Sequence, residues 1–299
     1  MQDNSLVTII CLCYNHEKYV VESLLSVIHQ NYPFVELIIV DDFSKDQSVA
    51  TILKWIKDYP QVQFIANETN LGSTKSFNKA LKLAKGDFII DLATDDVLLP
   101  NCVSLQLKAF KESPYKNLGI VYGNAELITE NSAFDSYYFP VDSQKKTIEK
   151  RETGDIYLSV ISGGNSICSV SSMVKKAVFD DLNGYDENLA YEDLDLWIRA
   201  SRKYEVDFID EILIQKRIST DSLGTHFFIK NDARSKKINF STYLIIKKAI
   251  TLNKSKIEHK AILKRMHFEM ILAYKTADYK LLLKYVLLEI KQRFKIFFA

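Results

Sequence analysis

Within the first hundred residues an apolar run followed by a helical pattern recurs four times, and no other feature restricts the fold as much. Residues 6–12 (LVTIICL) are almost continuously apolar, as in a central parallel strand buried on both faces. A helical pattern covers 18–30. Strands follow at 35–40, 62–66 and 87–92, with helices at 46–59 and 74–84 between them. Buried strands joined through helices by short connections give a doubly wound, mostly parallel α/β sheet. Polar residues cluster after each strand, at 13–17, 41–44, 67–72 and 94–96. Ligands bind at that edge of an open α/β sheet, and four such loops make a nucleotide-sized crevice. Neither GxGxxG nor GxxxxGK[ST] occurs, which counts against a dinucleotide enzyme or a P-loop NTPase.

The fourth strand lies in KGDFIIDLATDDVLLP and runs into Ala93-Thr94-Asp95-Asp96. Adjacent carboxylates at a strand end repel each other and need a partner. A hard divalent cation carrying a diphosphate meets that need, because carboxylate and phosphate oxygens suit Mg²⁺ or Mn²⁺. The plainer alternative is an Asp-rich turn capping the helix after Pro100, and for so short a motif alone it carries more weight.

Composition narrows the class. Of 299 residues, 47% are hydrophobic, enough for a real core and too many for a disordered chain. No run of 18 apolar residues is present, so no membrane-spanning helix is expected. The first five residues lack the basic start and apolar run of a signal peptide. Cys11, Cys13, Cys102 and Cys168 fit neither zinc spacing nor a disulfide framework, and reduced cysteines in a cytoplasmic protein are expected.

The later chain is less regular. A strand is expected at 118–122, an exposed insertion at 129–153 and a helix at 155–161. A flexible loop at 162–166 leads to a strand at 167–170. A helix at 175–182 stops at Asn183-Gly184. Another begins near Asp193, and two short strands follow at 206–209 and 212–215.

In order along the chain, these segments resemble glycosyltransferase family 2, whose inverting members have the GT-A fold. The resemblance covers about 6–223. VTIICLCYN resembles the family's first strand and turn, and VELIIVDDFSKD the second. Asn70-Leu71-Gly72 with Asn78 resembles the glycine turn and helix that close over the nucleotide. KGDFIIDLATDDVLLP resembles the DxD metal segment, GYDENLAYEDLDLWIRA the acceptor-side Glu-Asp motif, and KRISTDSLG the closing loop. The implied architecture is a GT-A catalytic domain at 1–225, with a nucleotide-binding half (1–100) and an acceptor-binding half (101–225). A basic helical appendage follows at 226–299.

The resemblance implies transfer of one sugar from a nucleotide-diphosphate sugar, most often UDP-linked, to a glycan or lipid-linked glycan in surface polysaccharide synthesis. The alternatives are a nucleotide-sugar-binding protein with little transfer, or a nucleotidyltransferase. Cys13, Tyr14, Asn15, Glu17, Asp41, Asp42, Gly72, Lys75, Thr94 and Asp95 are the implied nucleotide contacts, with Asp95 the ligand of a Mn²⁺ or Mg²⁺ cofactor. Glu192, Asp96 and Trp197 fall on the acceptor or donor-sugar side. Asp96 as a helix cap and Trp197 as a core aromatic are the stronger plain readings. Asp193 is the implied base, set against a helix-start acid favoured by the macrodipole. No Gln-x-x-Arg-Trp of the processive synthases occurs, so a single addition is expected. Several positions depart from the family pattern. Leu12, Cys13, Phe43, Phe77, Ala93 and Ser219 stand where proline, threonine, glycine, arginine, aspartate and histidine are usual. Lys75 is the nearest replacement for the charge missing at Phe77.

The net charge of +1 hides a division. From His226 onward, 17 Lys and Arg face 5 Asp and Glu, a balance of +12, which leaves −11 on 1–225. In the last helix Lys280, Lys284, Lys291 and Lys295 share one stripe. Two readings stand. The tail is a helical element packing on the body or on a second subunit as a homodimer, or it is a surface for anionic lipid at the inner face of the membrane. No nucleic-acid reader motif occurs.

Overall fold

The computed structural model describes residues 4–163, 167–219 and 223–298. Gly164, Asn165 and Ser166 of the expected flexible loop, and Thr220, Asp221 and Ser222 of the closing loop, lie outside the described residues. The chain runs β1 (Val7–Cys13), α1 (Val20–Ile28), β2 (Val35–Asp41), α2 (Ser48–Trp55), β3 (Gln63–Ala66), α3 (Ser73–Leu81) and β4 (Phe88–Ala93). It continues through β5 (Val97–Leu98), α4 (Cys102–Glu112), β6 (Leu118–Ile128), β7 (Phe134–Tyr137), α5 (Tyr157–Ser162), β8 (Met173–Lys175) and α6 (Lys176–Leu182). It ends with α7 (Asp193–Ser201), β9 (Glu205–Arg217), α8 (Leu223–His226), α9 (Ala233–Leu252), α10 (Lys256–Lys275) and α11 (Tyr279–Phe298).

The described residues divide into two compact units. The first holds 4–154, 167–185 and 204–218, and the second holds 155–163, 186–203, 219 and 223–298. In the first unit the strands form one sheet in the order β3-β2-β1-β4-β8-β6-β9-β5, with β7 beside β6. The first four strands are parallel, as their apolar runs predict. Val7, Ile9, Ile10 and Cys11 of β1 have no exposed surface, which a strand between two parallel neighbours and two helical layers requires. Register sets Cys13 beside Asp41, Asp41 beside Ala66, and Leu12 beside Ala93, so the four polar clusters leave the sheet at one edge.

The rest of the sheet corrects the expectation of a simple doubly wound one. β8 is antiparallel to β4 and β6, and the sheet curls into a half-barrel. The two strands expected near the end of the sheet are one long strand, β9, parallel to β6 with three register shifts. Those shifts break the alternation that a sequence pattern shows. The strand expected at 167–170 is a 3-10 turn, Ser169–Ser171, with β8 just after it. The insertion is not wholly exposed. Phe139 and Arg151 are buried, and the guanidinium lies 4.4 Å from the Phe139 ring centre. Asn124 holds Phe139 with a hydrogen bond in each direction. Gly86 lies beyond the end of α3 at Leu81. A side chain there would meet Thr8 of β1, whose Oγ1 accepts from the Gly86 N–H.

The second unit is helical. α9, α10 and α11 pack in sequence, and α10 also packs on α5. Ser255 and Glu258 form a capping box at the start of α10. Glu258 also pairs with Arg202 just past α7, whose guanidinium lies 4.1 Å from the Tyr157 ring centre. The 226–298 segment therefore shares a core with 155–163 and 186–203.

Within the first unit, Asn78 of α3 fixes the start of the GYDE segment. Its side chain donates to Tyr185 O and accepts from Tyr185 N, both at 2.9 Å. Gly184 is left-handed (φ 70°), and a methyl there would run into Asn78 Oδ1. Gly184→Ala is expected to cost about 3 kcal/mol, from φ strain and overpacking together. Asn78→Ala removes two buried hydrogen bonds but makes room. The double variant is therefore expected to lose clearly less than the two single losses added, in denaturant titrations of all four proteins.

Candidate active site

The loops after β1 and β2 are joined by backbone-to-side-chain hydrogen bonds. Asn15 N donates to Ser44 Oγ and Asn15 Oδ1 accepts from Lys45 N. His16 N donates to Ser48 Oγ. Glu17 N donates to Asp46 Oδ2, and Glu17 Oε2 accepts from Gln47 N. Asn15 and Glu17 thus build the loop pair. Asp41 is fully buried and accepts from both the backbone N–H and the hydroxyl of Ser44. Phe43, where the family has glycine, is left-handed (φ 68°), with the Lys45 ammonium 3.1 Å from its ring centre. Tyr14 is exposed beside this loop pair. Cys13 is buried, and burial pushes its thiol above the ordinary value.

Asp42 is saturated. Its Oδ1 accepts from Asn67 Nδ2, Ser76 Oγ and Leu71 N, and its Oδ2 from Gly72 N, all within 2.8–3.0 Å. One buried carboxylate therefore shapes the Asn70-Leu71-Gly72 turn. Gly72 precedes α3, and Lys75 is exposed on the first turn of that helix. Phe77 has no exposed surface and packs on Tyr185 and Phe179 at 4.3 and 5.1 Å.

At the β4 end, Thr94 is buried and its N–H bonds back to Leu12 O. Its Oγ1 lies 3.0 Å from His16 Nδ1. Asp95 keeps about a quarter of its side chain exposed, with one carboxylate oxygen 3.8 Å from the same His16 nitrogen. Asp96 is buried, accepts from Arg217 N at 2.8 Å, and does not cap α4, whose N-cap is Asn101. Burial, and then the neighbouring Asp95 charge, push the Asp96 carboxyl up to about 8 against the pull of Arg217 and Lys216. Arg217 also donates to Asp95 O, Thr129 O, Ser132 Oγ and Glu22, and its guanidinium lies 4.3 Å from the Tyr19 ring centre.

His16 and Arg217 are the residues that sequence reasoning missed here. Their only signals are a histidine inside a strand-end polar cluster and a basic pair closing the last strand. Among the described residues no three His, Cys, Asp or Glu side chains are arranged to hold a metal. Asp95 offers one accessible carboxylate. It therefore suits an ion that arrives with its own phosphate oxygens, not one held in a protein cage.

In the second unit, Glu192 is the N-cap of α7 and Asp193 its first residue. Trp197 is buried. Asp195 is 1% exposed, with Arg199 Nε on one oxygen and Lys248 Nζ on the other. Lys248, from α9, also reaches Asp186 at 2.7 Å. This lysine joins Asp186 to Asp195, the two ends of DENLAYEDLD, across the start of α7. Burial opposes ionisation of Asp186, but the hydrogen bonds from Lys248 and Asn188 N–H hold its carboxyl below the ordinary value. Such a group contributes stability above its unfolded value, about 3.9, and loses it as pH falls through the folded value. Lys248→Met is expected to cost about 3 kcal/mol at pH 7, since it leaves a buried carboxylate with one partner fewer. The deficit in thermal melts is expected to shrink below about pH 4.

Comparison with known proteins gives the same family. The model of glycosyl transferase family 2 matches residues 8–175. A Methanocaldococcus jannaschii glycosyltransferase, uncharacterised, is 30% identical over 79% of this chain and 82% of its own. Two Rickettsia glycosyltransferases are longer, and the chain spans 64% of their length. Two solved structures share the fold. TarS of S. aureus with UDP-GlcNAc has a TM-score of 0.65 at 17% identity, covering 90% of this chain and 75% of that one. A mannosyltransferase of Pyrobaculum calidifontis with GDP-Man and Mn²⁺ has 0.61 at 16% identity, covering 92% and 73%. At such identities the likeness speaks for the fold alone. With the family model covering more than half of its length, the chain belongs to glycosyl transferase family 2.

Proposed function

We propose that this glycosyltransferase moves one sugar, with inversion, from a UDP-sugar to a hydroxyl of a glycan or lipid-linked glycan in surface polysaccharide synthesis. The carrying observation is the edge where four parallel strands end, where Asp95 keeps a partly exposed carboxylate beside His16. Tyr14 and the Asp41 loop are assigned to the base and ribose, and Lys75 with the α3 N-terminus to the diphosphate. A helix N-terminus favours phosphate, and Lys75 adds the charge that Phe77 lacks. Asp95 would hold Mn²⁺ or Mg²⁺. When bound with the donor, that ion would stabilise negative charge on the departing diphosphate.

The acceptor oxygen forms a bond to the anomeric carbon as the bond to the diphosphate oxygen breaks. The acceptor proton passes to a carboxylate, and Asp193 is proposed as that base, with Glu192 beside it on the acceptor side. Support comes from the Glu-Asp motif and from the lysine bridge across the start of α7. A binding protein with weak transfer is the second reading, motivated by Ala93 and by Phe77, whose buried ring adds nothing to a phosphate site. The expected location is cytoplasmic, peripheral at the inner face of the membrane. Among the described residues no helix is long and apolar enough to cross one.

Two substitutions test the assignment. Asp193→Asn is expected to lower turnover by about 10²–10⁴-fold while leaving UDP affinity within about twofold. Asp95→Asn is expected to remove the Mn²⁺-dependent gain in UDP affinity in calorimetry. UDP binding that ignores both Mn²⁺ and Asp95 would take the metal role from this carboxylate. Turnover that survives Asp193→Asn would take the base role from Asp193.

A further inference from the structure

Among the described residues, the last helix has two apolar faces, one buried and one largely exposed. Leu281, Tyr285 and Gln292 are buried against the other helices of their unit. Tyr279, Leu283, Leu287, Ile290, Phe294 and Phe297 are all between 47% and 80% exposed. At 3.6 residues per turn these six fall within an arc of about 80°, roughly opposite the buried seam. Lys280, Lys284, Lys291 and Lys295 form a row between the two faces. The other edge carries Glu289 and Arg293, paired with each other at 2.6 Å. The apolar stripe is about 27 Å long. It has a cationic border on one side only.

We infer that this stripe is the protein's docking surface for an anionic bilayer, with α11 lying in the plane of the headgroups. An in-plane helix buries its exposed apolar side chains at the acyl boundary and sets its lysines among lipid phosphates. A second copy is the other natural cover for an apolar helix face, and the charges disfavour it. A two-fold pairing of antiparallel helices sets lysine row against lysine row. A parallel pairing sets each lysine row against an edge with one carboxylate, Glu289, already held by Arg293. Lys284 lies over the Phe240 and Tyr243 rings, and a phosphate surface answers the exposed Lys280, Lys291 and Lys295 at once, each lysine near an anionic leaflet adding about fivefold in affinity. The inference rests on the proposed glycan-transfer reading for its purpose, but its test involves no sugar nucleotide and stands if that reading falls.

The full chain would be sedimented with vesicles of phosphatidylcholine alone and with added phosphatidylglycerol, at low and at physiological salt. Its oligomeric state would be measured in parallel by light scattering. Binding is expected only to the anionic vesicles and is expected to weaken with salt. Replacing Leu283, Leu287 and Ile290 together by Gln is expected to lower it at least tenfold. Replacing Lys280, Lys291 and Lys295 by Gln is expected to lower it by roughly a hundredfold. The lysine variant decides the matter if the first variant melts early. No vesicle binding, equal binding to both lipids, or binding unchanged in the variants would overturn the proposal. So would a dimer that the apolar variant converts to monomer.

Discussion

A guanidinium with no exposed surface must find an acceptor for each N–H it takes out of water. Arg217 finds its acceptors on separate segments: the Asp95 carbonyl, the chain after β6, and Glu22 on α1. Its own N–H holds Asp96. The partly exposed Asp95 carboxylate therefore sits on a turn clamped by the last strand of the sheet. Two further bonds, from Leu98 N to Ser26 Oγ of α1 and from Gln30 Nε2 to Leu99 O, hold the segment that follows the turn. The end of β9 is, in this sense, part of the Asp95 turn although it lies some 120 residues further along the chain.

The same logic shapes the neighbouring loops. Asp41 and Asp42 look like two acids awaiting a ligand, yet Asp42 is occupied by four donors and Asp41 by Ser44. Their first task is to give each loop a single conformation. A site built this way loses little ordering entropy when a nucleotide arrives, because its backbone is already held. The left-handed Phe43 is the point where that order carries a local cost, offset in part by the Lys45 ammonium over its ring.

The parallel core was legible because a strand buried on both faces shows as an unbroken apolar run, and 6–12 is one. The edge where the loops gather follows from topology alone. Other features depend on partners far apart in the chain. Nothing near Asp96 announces that it accepts from Arg217, and nothing near Phe77 announces Phe179 and Tyr185. β9 was read as two strands because its register shifts interrupt the alternation. On α11 the lysine row was visible. The covered apolar face was not separable from the open one, since both repeat every three or four residues and only packing distinguishes them.

Phe77 illustrates how packing holds a departure from a family pattern in place. Its ring fills a pocket shared with Phe179 and Tyr185, and Tyr185 is in turn held by Asn78 and by Asp91. Restoring arginine at 77 alone would drive a charge into aromatic packing with no acceptor supplied. The residue usual in the family would become tolerable at 77 only after its neighbours had changed. Added positive charge is more readily carried at an exposed position such as Lys75, where no packed ring has to be displaced.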